Sequence, residues 1–90
     1  MARVPTNRIG VDGLIRSNEE EKVISLNVAS LFNTDLGQEV MKYLRSITIE
    51  YVNGANVTND ELRHIEGQRY IVGLIEQRIN HANNVKKQEG

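Results

Sequence analysis

The sequence predicts an all-α protein. It consists of an antiparallel helical hairpin over about residues 35–50 and 59–82, a shorter helix before it over about 18–31, and an extended N-terminal arm. Three observations carry this. Hydroxyl side chains suited to capping a helix N-terminus stand at Ser17, Thr34 and Thr58, and two of them are followed three residues later by a glutamate. Behind each cap, apolar residues recur at helical spacing. No stretch sustains the strict alternation of a half-buried sheet.

Residues 1–16 form the arm. Pro5, Gly10 and Gly13 interrupt scattered apolar residues (Val4, Ile9, Val11, Leu14, Ile15), and neither period appears. Such a segment cannot bury enough surface by itself to offset its ordering entropy, roughly 1–2 kcal/mol per residue. It is expected either to fray or to lie along a neighbouring subunit. Arg3 and Arg8 precede no apolar run of the kind a secretory leader carries.

Ser17-Asn18-Glu19-Glu20 is a capping box, in which Ser17 and Glu20 each satisfy the other's backbone N–H. Glu19, Glu20 and Glu21 suit the positive end of the helix dipole. Ile24, Val28 and Leu31, flanked by Val23 and Phe32, form the expected buried stripe. Phe32-Asn33-Thr34-Asp35 is a break and a restart, with Thr34 as N-cap. Leu36, Val40, Leu44 and Ile47 then follow at helical spacing, widened by Met41, with Gln38, Glu39, Lys42 and Arg45 opposite.

Residues 47–57 allow two readings. Ile47 to Val52 is β-branched with weak alternation, and Asn53-Gly54 is a strong hairpin-turn signal. The alternative is a helix running to about Tyr51 and closing on a left-handed Asn53-Gly54 cap. The helix end is favoured, because an isolated two-stranded hairpin is marginal in water.

Thr58-Asn59-Asp60-Glu61 is a second capping box, with Thr58 and Glu61 as its pair. Leu62, Ile65, Val72, Ile75 and Ile79, extended by Ile71 and Leu74, line one face of the longest helix. It is expected to pack on the helix over residues 36–47, with the first helix or another subunit closing the core. Gly67 and Gly73 lie inside it, at about 1 kcal/mol each relative to alanine, which points to close approach of another backbone. The organisation is thus an arm (1–16), a small helical domain (17–84) and a polar tail (85–90).

Composition excludes several function classes. With 11 lysines and arginines against 12 aspartates and glutamates the net charge is −1, so nothing draws the chain as a whole toward nucleic acid or an anionic membrane. It has no cysteine, hence no disulfide, thiolate metal site or cysteine nucleophile. No apolar run approaches the ~20 residues of a membrane span. His64 and His81 are both expected to be solvated, and His64 with Glu61 lacks a third metal ligand. Ser17, Ser25, Ser30 and Ser46 have no histidine base next to them in sequence. Gly10-Val11-Asp12-Gly13 lacks the third glycine of a dinucleotide fingerprint. No catalytic, cofactor-binding or metal-binding residue is assigned, no cofactor is expected, and the chain is not expected to be an enzyme.

A small helix-turn-helix-like regulator is the rival reading. On the last helix, however, Glu61, Glu66 and Glu76 interleave with Arg63, Gln68, Arg69 and Arg78, the pattern of a salt-bridged solvated face rather than a recognition helix. Nucleic acid is therefore an unlikely partner and membrane is not expected. Protein–protein interaction remains. Tyr43, Tyr51 and Tyr70 are amphipathic side chains of the kind favoured at interfaces, and the core is light, with one phenylalanine and no tryptophan. Small chains of this kind often gain stability by oligomerising.

Two segments are more specific. Leu31-Phe32-Asn33-Thr34-Asp35-x-Gly37-Gln38-x-Val40-Met41-x-Tyr43-Leu44 resembles a phage-protein pattern in which F-x-T-x-x-G opens a helix continuing V-L-x-x-L. Glu66-Gly67-Gln68-Arg69-x-Ile71-Val72-x-Leu74-Ile75 resembles its second half, E-G-R-R leading into an apolar helix, with Gln68 where the pattern has a basic residue. In this order, over about Leu31 to Ile79, they resemble the small phage domain named after a Bordetella phage protein (Bbp-nineteen-like), encoded near the portal and capsid genes of short-tailed phages. The resemblance implies a virion structural protein in several copies at or near the portal or head-to-tail connector. Its partners would be portal, adaptor or capsid proteins, with copies of itself in a ring. Its location would be the virion, and the host cytoplasm during assembly. The motif residues then serve the fold: Thr34 as cap, Gly37 and Gly67 for close approach of the paired helices, and Glu66 with Arg69 as an interhelical or intersubunit ion pair.

Overall fold

The computed structural model describes residues 7–89, with side chains from residue 9 to 88. Its elements are β1 (Asn7–Ile9), β2 (Ile15–Ser17), α1 (Asn18–Phe32), α2 (Asp35–Ile47) and α3 (Asn59–Glu89). The protein is all-α in its main body, with three helices in the expected order.

Part of the expected arm, residues 1–6, lies outside the described residues. Residues 7–9 and 15–17 are extended, but they pair with each other. β1 and β2 run antiparallel with Asn7 opposite Ser17, Arg8 opposite Arg16 and Ile9 opposite Ile15. The loop between them closes through the Gly10 N–H donating to the Leu14 carbonyl (2.8 Å) and the Gly13 N–H donating to the Gly10 carbonyl (3.0 Å). Gly13 has φ +85°, a value that a side chain would strain. The hairpin folds back onto its own α1 and α3, which holds residues 9–17 against the chain's own helices.

Each helix starts where its cap predicts. The Ser17 hydroxyl accepts from the Glu20 N–H (3.2 Å). The reciprocal half of that capping box, from the Glu20 carboxylate, is not among the hydrogen bonds. Thr34 accepts from the Gly37 N–H (2.9 Å) and donates to the Leu31 carbonyl (2.8 Å), joining the end of α1 to the start of α2. The Thr58–Glu61 box closes in both directions, at 3.1 and 3.4 Å.

Two helix ends differ from expectation. α2 stops at Ile47 and not near residue 50, and residues 48–58 are a loop with neither a hairpin nor a left-handed Gly54 cap. The cause is local competition for backbone groups. The Thr48 hydroxyl bonds back to the Leu44 carbonyl (2.6 Å), and Arg69 donates to the carbonyls of Thr48 (2.9 Å) and Tyr51 (2.7 Å), holding the chain in its departure from the helix. α3 continues past Ala82 to Glu89 and absorbs most of the expected tail. Val85 is buried there, and Lys86 and Lys87 suit the negative end of the dipole.

The packing also differs from expectation. α3 packs most extensively on α1, and α2 makes the smaller contact. Along α1 and α3 the partners ascend together, Glu21 with Arg78 and Ser25 with His81, so the two helices run in the same sense. α2 runs the opposite way, its Arg45 clamping Glu76 at 2.6 and 2.7 Å while Thr48 meets Arg69. The face α1 turns inward is Glu21, Ser25 and Ala29, one position on from the expected Ile24–Val28 stripe. The buried apolar residues are small: Ala29, Val72, Ala82 and Val85. The molecule is a slab of 60 × 32 × 14 Å.

Candidate interaction surface

Two regions of the slab carry chemistry of opposite kinds. The first is a buried ionic knot where the hairpin, α1 and α3 meet. Arg78 is only 5% exposed and Glu21 only 7%. The Arg78 guanidinium donates to both carboxylate oxygens of Glu21 (2.9 and 3.2 Å), to the Ser25 hydroxyl (3.2 Å) and to Asp12 (3.2 Å). From the other side Arg16 donates to Asp12 (2.8 Å) and Glu21 (2.9 Å). Two guanidinium groups therefore meet two carboxylates, and both carboxylate oxygens of the buried Glu21 face donors.

The titration behaviour follows from this geometry. The Leu14 backbone N–H, followed by Arg16, holds the Asp12 carboxyl down at about 2. Glu21 is lowered chiefly by its hydrogen bonds to Arg78, which outweigh its burial, and Arg16 adds to the effect. Arg16 is raised in turn, first by Asp12 and then by Glu21. Beyond the knot, Ser25 and His81 Nδ1 lie 2.7 Å apart. His81 is thus half-buried and bonded, in contrast to the solvated histidine expected, and a serine does meet a histidine. The pair is no nucleophile–base dyad, since Ser25 is fully buried and offers its oxygen to no substrate.

The second region is the outer side of α2. Leu36, Val40, Tyr43 and Ile47 follow one another at spacings of four, three and four, and all four are exposed, Leu36 at 76% and Tyr43 at 62%. The inner side of the same helix is Gly37, Met41, Leu44 and Thr48, which are buried or half-buried. Gly37 has to be glycine because a Cβ there would press on the Leu31 carbonyl and lie 2.7 Å from the Phe32 Cα. α2 therefore carries two apolar seams, and only one is used inside the chain. At its upper end the outer seam runs into a cleft of about 200 Å³ lined by Leu31, Phe32, Thr34, Leu36, Gly37 and Val40.

Of the residues singled out in the sequence, Ser17, Thr34, Thr58 and Glu61 act as caps, and Gly37 makes a close approach, although to the end of α1 and not to α3. Gly67 corrects the expectation. A Cβ there meets nothing within 4 Å, and the same holds for Gly73, so neither marks a crossing backbone. Glu66 and Arg69 do pair, at 2.6 Å, within one helical turn and not between helices. Arg69 also fixes the 48–51 loop, which makes it a structural tether. Tyr43 stands at the centre of the outer seam. Tyr51 is exposed on the loop, and Tyr70 is exposed with its hydroxyl 3.5 Å from the Asp12 carbonyl. His64 is exposed, its Nε2 3.2 Å from the Gln68 amide.

Sequence reasoning missed the knot. One signal was present: Ile75, Arg78, Ala82 and Val85 fall at spacings of three, four and three, so an arginine occupies a seam position of α3 and needs buried carboxylates. Among the described residues no group of three or more side chains is arranged to hold a metal, and no helix is long and apolar enough to cross a membrane. Comparison with protein-family models, curated proteins and solved structures returns no match.

Proposed function

We propose that this chain is a non-enzymatic structural subunit of a phage particle, working by adhesion to other subunits. The observation that supports adhesion is the outer seam of α2, a regular apolar row left exposed on a chain whose buried apolar side chains, among the described residues, are small. Monomeric proteins rarely leave such a patch uncovered unless it binds something.

The phage assignment rests on the paired motifs Phe32–Gly37 and Glu66–Arg69. In this fold Thr34, Gly37 and Arg69 shape the two ends of α2, the helix that presents the seam. A pattern that fixes α2 at both ends suits a domain whose task is to display that helix. The proposed site is at or near the portal or head-to-tail connector, in several copies, with portal, adaptor or capsid proteins as partners.

Mass spectrometry of purified particles of the encoding phage tests the placement. The chain is expected in mature particles at several copies each, and absence from them overturns it. Retardation of duplex DNA that fades steeply with added salt would instead favour the regulator reading.

A further inference from the structure

We infer that the outer seam of α2 is a homotypic contact, on which a second copy of this chain packs antiparallel about a twofold axis passing between residues 40 and 43. The inference rests on the adhesive reading above and names its first partner.

Area is the first argument. Leu31, Leu36, Val40, Tyr43 and Ile47 together leave on the order of 600 Å² bare, the upper end of what a typical monomer exposes in one patch. The stems of Glu39 and Lys42 bring the face close to the about 800 Å² that each side of a standard interface contributes. One copy can therefore cover another without recruiting a further element.

Shape is the second. A twofold axis between residues 40 and 43 sets Val40 of one copy against Tyr43 of the other, and Ile47 against Leu36. Each Ile47 then faces the apolar cleft of the opposite copy at Leu31, Phe32 and Val40, a knob meeting a hole at both ends of the seam.

Charge is the third, and it sets the direction. Projected at 100° per residue, Glu39 and Lys42 lie on the same flank of the seam, the one away from α1 and α3. Neither belongs to an ion pair among the described residues. In an antiparallel twofold pair like flank meets like flank, so Glu39 of each copy comes beside Lys42 of the other, twice. A parallel pair would bring Glu39 toward the apolar flank at Leu44 and leave both charges unanswered. The seam itself carries no charge, which excludes a strongly charged partner there.

Sedimentation of the full chain from about 1 µM to about 500 µM, a range that brackets an affinity of micromolar order, tests this. A monomer–dimer equilibrium is expected. Val40→Glu is expected to raise Kd at least about tenfold by placing an unpaired carboxylate at the centre of the contact, with far-UV circular dichroism unchanged. Glu39→Lys and Lys42→Glu are each expected to weaken the dimer about threefold alone, because each creates two like-charge meetings. An equimolar mixture of those two variants is expected to form a heterodimer as tight as the wild type, since both cross pairs become attractive. A chain that stays monomeric throughout overturns the inference, and so does a dimer indifferent to Val40→Glu. A mixture no tighter than its parts overturns the antiparallel arrangement. A monomer still found in particles leaves the structural-subunit reading intact while this inference fails, and a seam dimer absent from particles does the reverse.

Discussion

The α1–α3 contact and the outer side of α2 use opposite means on one short chain. The first is made of small side chains and a fully answered ionic knot, and it leaves no buried side-chain polar atom without a partner among the described residues. The second is made of large side chains left exposed. Large apolar residues are usually buried and charges exposed, and here the order is reversed. The contrast separates two tasks: the knot holds the hairpin and two helices in register, while the seam is kept for another molecule. A buried ion pair adds little net stability compared with an apolar pair, but its geometry is exacting. That suits a fold whose buried apolar side chains, Ala29, Val72, Ala82 and Val85, are small.

The largest expected effect comes from breaking the knot. Arg78→Ala leaves Glu21 buried with only Arg16 beside it and removes the ionic link from α3 to the hairpin. It should cost about 3 kcal/mol, read as a lowered denaturant midpoint. A loss well under about 1 kcal/mol would mean that α1 and α3 hold together without the ions. Gly37→Ala tests the junction of the two regions. The added methyl meets backbone at the end of α1, which cannot move aside as a side chain would, so about 2 kcal/mol of destabilisation is expected in thermal melts.

Acid should act on the knot. Asp12 titrates at about 2 when folded against an ordinary 3.8, and Glu21 is lowered from 4.5. Lowered carboxyl pKa values give stability that is present above the ordinary values and lost as pH falls from about 4.5 toward 2. The melting temperature should descend through that window, and less steeply in Asp12→Asn. Gly67→Ala is the smallest change. With open space at its Cβ position, it should stabilise α3 by up to about 1 kcal/mol through helix propensity. Destabilisation would show that a backbone does approach there.

Much of the fold was legible because it is written in local chemistry. Ser17, Thr34 and Thr58 mark three helix starts within one residue, since a cap depends only on neighbours in sequence. The ends were less legible. α2 stops at Ile47 partly because Arg69, far along the chain, takes the carbonyls of Thr48 and Tyr51, and no local pattern announces that. α3 runs on to Glu89 because Val85 finds burial there. Periodicity located the apolar face of α2 but not its partner: Leu36, Val40 and Ile47 have the spacing of a core stripe and in fact face outward, while Gly37, Met41, Leu44 and Thr48 face in. The knot was hidden because Asp12 and Arg16 lie in a segment without period, and their meeting with Glu21 and Arg78 is a tertiary event. Tyr43 was picked out for its amphipathic side chain, and it stands at the centre of the exposed seam.

The dependence of the melting temperature on protein concentration tests most directly the separation of a fold-holding knot from an adhesive seam. Association stabilises the folded state by mass action. The wild-type melting temperature should therefore rise with concentration, while that of Val40→Glu stays flat at undiminished helicity. A wild-type value that does not move, or one that moves equally in both proteins, would contradict the account.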